Sequence, residues 1–154
     1  MSTSSMSRKP LIQSQPCAGS FQAQVTRQPL IVTSVLARLT MRLELGELPS
    51  HWIWKVIAEG KIGQTRTCIG LFIDQGLPLG TYQIPAEPRI KVVYNQTPRW
   101  KNIIYHSENF QAGQLTLLEA DVASRRLRGE FGFSISAIDF EVSDGAFDLH
   151  CQPC

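Results

Sequence analysis

The sequence lacks every short motif that announces a reaction. It has no G-x-S-x-G elbow for a serine nucleophile, no H-E-x-x-H metal pair, no phosphate-cradling glycine loop and no dinucleotide fingerprint. The acidic residues Asp139, Glu141, Asp144 and Asp148 do not fall at calcium-loop spacing. Only three histidines are present, His51, His106 and His150. An enzyme would need its site assembled from these histidines and distant carboxylates by the fold. The sequence itself marks no catalytic residue and implies no cofactor.

Long apolar runs are missing too. No window approaches the ~18 residues a membrane helix needs, so no helical span is expected. Arg8 and Lys9 are not followed by the apolar stretch of a secretory signal. Residues 1–18 are rich in Ser, Gln and Pro and read as a flexible polar leader, with a single domain over 19–154. Without a signal, a cytoplasmic location and reduced thiols are the default expectation for Cys17, Cys68, Cys151 and Cys154. Excess charge is scarce as well: a net +2 gives no argument for a nucleic-acid partner. Charge is unevenly spread, however. Residues 101–154 hold eight of the 13 acidic side chains but only four of the 15 basic ones.

What the chain does have is period-two alternation, the mark of strands with one buried face. Ala37, Leu39, Met41, Leu43 and Leu45 alternate with Arg38, Thr40, Arg42 and Glu44, and Trp52, Trp54, Val56 and Ala58 with Ile53, Lys55, Ile57 and Glu59. Segments 67–73, 90–94 and 102–106 are further β-rich runs, and Leu127, Phe131, Phe133, Ile135 and Ala137 share one face in the last third. Asp144-Gly145 lies between two alternating runs, which predicts a hairpin turn there. Gly and Pro punctuate the chain at strand-and-turn intervals. The expected fold is all-β: a single-domain antiparallel β-sandwich or flattened barrel of roughly eight to ten strands with little helix.

Three patterns carry a resemblance. They are Gly80-Thr81-Tyr82, then Gly113-Gln114-Leu115-Thr116-Leu117 leading to Arg128-Gly129-Glu130-Phe131-Gly132-Phe133, then Val142-Ser143-Asp144-Gly145-Ala146-Phe147. Over about residues 35–150 this succession resembles a group of small bacterial all-β domains, many of them exported lipoproteins, with no assigned biochemical function. The resemblance implies a fold and no reaction. An export signal, usual in that group, is not seen in the sequence given.

Four clusters could carry chemistry, each with a structural alternative. His150, Cys151 and Cys154 offer three of the four ligands of a structural zinc, with Cys17 or Cys68 as a fourth. Cys151 packed on the inner face beside Phe147 and Leu149 is the alternative, and a disulfide from Cys17 to Cys151 or Cys154 is another. Trp52 and Trp54, two apart on one strand, could join Trp100, Tyr105 and His106 in an aromatic platform or lie in the core. Arg125, Arg126 and Arg128 could clamp an acidic group at a hairpin tip or simply be solvated. The leading expectation is a non-catalytic binding domain for a protein or a small apolar ligand, able to pair with a second copy through exposed strand edges. An inhibitory, toxin-neutralising partner is the alternative, and an enzyme the third.

Overall fold

Alternating side chains bury one face of a strand, and two such faces stack to close a core. The computed structural model describes residues 18–41, 52–84, 86–97, 103–107, 110, 112–135 and 140–151. They form eleven strands: β1 (Ala18–Val25), β2 (Gln28–Pro29), β3 (Ile31–Met41), β4 (Trp52–Ile62), β5 (Thr65–Asp74), β6 (Gly80–Ile84), β7 (Ile90–Thr97), β8 (Ile103–His106), β9 (Ala112–Asp121), β10 (Arg126–Ile135) and β11 (Phe140–His150). Six make one sheet in the order β2-β1-β11-β10-β9-β6, and five make the other in the order β3-β4-β5-β7-β8. Every pairing is antiparallel. The architecture is a sandwich. No helix among the described residues is long and apolar enough to cross a membrane.

One continuous core lies between the sheets. The five-stranded sheet contributes Trp54, Val56, Ile69, Leu71, Val92 and Tyr94, and the six-stranded sheet Leu115, Leu117, Leu127, Phe131, Phe133, Phe147 and Leu149. A chain of rings runs through it. Phe147 lies 6.2 Å from Phe131, Phe131 lies 6.4 Å from Phe133, and Phe133 stacks on Phe110 at 4.4 Å and meets Tyr94 edge-on at 6.3 Å.

The centre of the six-stranded sheet is built from two reciprocal glycine–phenylalanine pairs. On facing strands, Gly129 is opposite Phe147 and Phe131 is opposite Gly145. A Cβ on Gly129 would sit 2.7 Å from the Phe147 ring, and one on Gly145 would sit 2.6 Å from the Phe131 ring. Each ring therefore lies over the bare backbone of its partner.

Here the structure corrects the hairpin expected at Asp144-Gly145. β11 runs unbroken from Phe140 to His150, and the pair forms a bulge inside it. Phe131 faces Gly145 and Phe133 faces Val142, so Ser143 and Asp144 together oppose Gly132. Asp144 has φ +52°, the left-handed conformation the sequence signal detected, used for an extra residue and not for a turn. β1 goes unmarked in the sequence reading, although Phe21, Ala23 and Val25 alternate with Gln22 and Gln24. It lies inside the sheet, paired to β11 and β2.

Candidate functional site

Strand parity turns every second residue of the six-stranded sheet away from the core. Cross-strand register then fixes which outward residues stand side by side. One row runs Gln24, Ser143, Gly132, Gln114, Gln83 across β1, β11, β10, β9 and β6. The next runs Gln22, Ala146, Glu130, Thr116, Thr81. All of these but Thr81 line a shallow open trough of about 930 Å³, together with Ala112, Ser134, Glu141 and Asp144. Its floor is small, with Ala112, Gly132, Ala146, Ser134 and Ser143. Longer side chains ring that small patch: Gln22 and Gln24 on β1, Gln114 and Gln83 on β9 and β6, and Glu130 and Glu141 at its ends. Thr81 and Thr116 share a 2.9 Å hydroxyl hydrogen bond on this face, tying β6 to β9.

The trough is polar without being basic. Among the described residues, no Lys, Arg or His lines it. Among the described residues, no ion pair engages Glu130, Glu141 or Asp144. The amides of Gln22, Gln24, Gln83 and Gln114 make no hydrogen bond within the described structure, so their donors and acceptors face solvent.

The arginine cluster borders this face but is spoken for. Arg126 grips Asp148 with two hydrogen bonds of 3.0 and 2.9 Å. Those bonds hold the Asp148 carboxyl below the usual range and raise the Arg126 guanidinium. Arg128 stands 3.5 Å from Glu119. Arg125 is exposed at the hairpin corner with φ +57°. The three do not converge as a free anion clamp.

The aromatic candidates separate in the same way. Trp54 is wholly buried, and its indole N–H has no hydrogen-bond partner among the described residues. Trp52 is 40% exposed at the start of β4. Tyr105 packs 6.2 Å from Tyr94, and His106 is exposed on β8. Trp100 lies outside the described residues.

At the far end of β11, His150 is exposed while Cys151 is buried in the core. The two point apart. No group of three His, Cys, Asp or Glu side chains suited to a metal occurs among the described residues. Cys17, Cys154 and His51 lie outside them. His106 and His150 belong to different sheets.

A second, smaller hollow of about 290 Å³ opens on the outer face of the five-stranded sheet, between Glu59, Lys61, Arg66 and Cys68. Burial first, and the Glu59 carboxylate second, push the Cys68 thiol from its ordinary 9.0 to about 11. Burial likewise lifts the Tyr94 hydroxyl from 10.0 to about 12. Both groups lose their protons more readily in the unfolded chain, so their contribution is whole below pH 9.0 and declines as pH rises toward 11 and 12. Urea midpoints should therefore hold steady to about pH 9 and fall above it. Iodoacetamide labelling of Cys68, followed by peptide mass, should keep accelerating past pH 9 where an ordinary thiol levels off. A plateau near pH 9 would contradict the burial.

The polar trough goes unnoticed in the sequence because its residues look like any solvated strand face. The available signal was the choice of uncharged amides at Gln22, Gln24, Gln83 and Gln114, where Lys and Glu are the commoner exposed residues. No family model, curated protein or solved structure gives a significant match to this chain.

Proposed function

We infer that the protein is a non-catalytic binding domain whose ligand lies across the outer face of the six-stranded sheet. The observation that carries this is the trough itself: a patch of small residues ringed by long polar ones, whose side-chain amides are unengaged among the described residues. A merely solvated sheet face has no need of a graded floor. Ligand sites are concave and place a few convergent polar groups around the occupant. The interior of the sandwich is filled by side chains, which favours this outer face over an internal pocket for a small apolar ligand.

Small polar probes test the location without presupposing the ligand. Acetamide, glycerol, Tris and acetate are each titrated into isotope-labelled protein and followed by backbone and side-chain amide NMR. Shifts should concentrate on Gln24, Gln83, Gln114 and Gly132. Shifts that concentrate around Lys61 and Arg66, or spread evenly over both faces, would move the site or remove it.

A further inference from the structure

We propose that the occupant of the trough is a second copy of this chain, which presents the outer face of its five-stranded sheet; the proposal rests on the trough being the binding site. Charge is the first argument. On the six-stranded sheet Arg126 and Arg128 are matched by Asp148 and Glu119, which leaves Glu130, Glu141 and Asp144 unbalanced in the trough. The opposite outer face has the reverse surplus. Lys61 on β4 stands directly across from Arg66 on β5, and Lys91 on β7 stands beside Phe72 of β5. Among the described residues none of these three cations is in an ion pair, and Glu59 is the one exposed carboxylate on that face. Like charges directly opposite on a sheet repel. An acidic surface laid over Lys61 and Arg66 removes that cost and neutralises the trough as well.

Size runs the same way as charge. Leu36, Ile57 and Val93 lie in one cross-strand row through Gly70, each half-buried. The Ile57 and Phe72 side chains reach within 3.3 Å of the place a Gly70 Cβ would take, so branched and aromatic groups close over the glycine. This face therefore offers bulky apolar groups flanked by cations. The trough offers Ala112, Gly132, Ser134, Ser143 and Ala146 between carboxylates. Large groups meet small ones, and positive charge meets negative.

Two like faces repel, so the pairing is trough to basic face and never trough to trough. Such heterologous contacts leave a free face at each end and do not close on themselves. The pairing also gives a use to the uneven charge along the sequence: the acids come from β10 and β11, and the cations from β4, β5 and β7. A contact across five strands, ~19 Å wide, is small for a specific interface, so the association is weak and sensitive to salt.

Sedimentation of the full chain tests this, from about 20 µM to about 1 mM protein, in low salt and in about 0.5 M sodium chloride. Mean mass should rise with concentration past the dimer in low salt and fall toward the monomer in high salt. In an amide NMR dilution series, Gln24, Gly132 and Ala146 should shift together with Lys61, Arg66 and Gly70. Two neutralised chains are compared, one with Glu130→Gln, Glu141→Gln and Asp144→Asn, the other with Lys61→Gln, Arg66→Gln and Lys91→Gln. Each should weaken association about tenfold or more, with its thermal midpoint little changed. An equimolar mixture of the two should form a dimer and stop there, since one intact face of each kind remains. If either chain fails to fold, Glu130→Gln and Lys61→Gln make the same comparison at about threefold. A chain that stays monomeric throughout overturns the second copy. The small polar probes then decide separately whether the trough is a site, and trough shifts with pentalysine would assign it to a different basic partner. Association that closes at the dimer, ignores salt or survives both neutralisations overturns the face pairing.

Discussion

Phe147→Ala should be among the most damaging single substitutions in this protein, lowering stability by about 3–5 kcal/mol. Phe147 is 2% exposed and touches the ring system from two sides, with Phe21 at 6.4 Å and Phe131 at 6.2 Å. It also roofs the bare backbone of Gly129. Truncation would remove the transfer free energy of a whole ring and open a cavity between two strands that pair through it. At about 2–4 °C per kcal/mol for a chain this long, the thermal midpoint should drop by roughly 10 °C or more. Thermal and urea unfolding followed by circular dichroism measure this directly. A loss below about 1 kcal/mol would mean that the ring is not part of the core.

Gly129→Ala should destabilise by about 3 kcal/mol through the opposite fault, overpacking. Its added methyl would meet the carbonyl oxygen of Thr116 at 2.6 Å on one neighbouring strand and the Phe147 ring at 2.7 Å from the other. Neither obstacle is the loose end of a flexible side chain, so a strand or a ring must move. Gly132→Ala, three residues along the same strand, is the internal comparison: its methyl would meet the Val142 carbonyl oxygen at 3.2 Å and no ring, so it should cost less than Gly129→Ala. Equal unfolding midpoints for the two variants would contradict the geometry.

Much of the fold was legible because alternation is a direct consequence of the pleat. Trp54, Val56 and Ala58, and Phe131, Phe133 and Ile135, fall on the core side as their spacing requires. Asp144-Gly145 misled for an instructive reason. The same left-handed backbone serves a two-residue turn and a bulge, and local sequence does not reveal whether the chain reverses or continues. What settles it is Phe131 on a neighbouring strand, whose ring needs Gly145 beneath it, and that pairing is invisible before the fold is known.

The trough was harder still. It depends on register among five strands drawn from both ends of the sequence, with Gln24 next to Ser143 and Gln114 next to Gln83. Of the residues singled out for chemistry, Trp54 and Cys151 went to the core, and Arg126 and Arg128 to ion pairs. Residue type alone could not distinguish those uses.

The bulge at Asp144 also says how this strand tolerates changes in length. Val142 and Phe147 are five positions apart, an odd number, yet both face the core. Losing Asp144 would make the spacing even and pair each remaining residue in step with Gln24 through Phe21 on one side and Phe133 through Gly129 on the other. Most other single deletions along β11 would leave one of its halves with core residues turned to water. Asp144 is thus a removable link, one whose loss the hydrophobic core would scarcely register. With it in place, the extra residue bends β11 beside Gly132 and sets the shape of the outer face there.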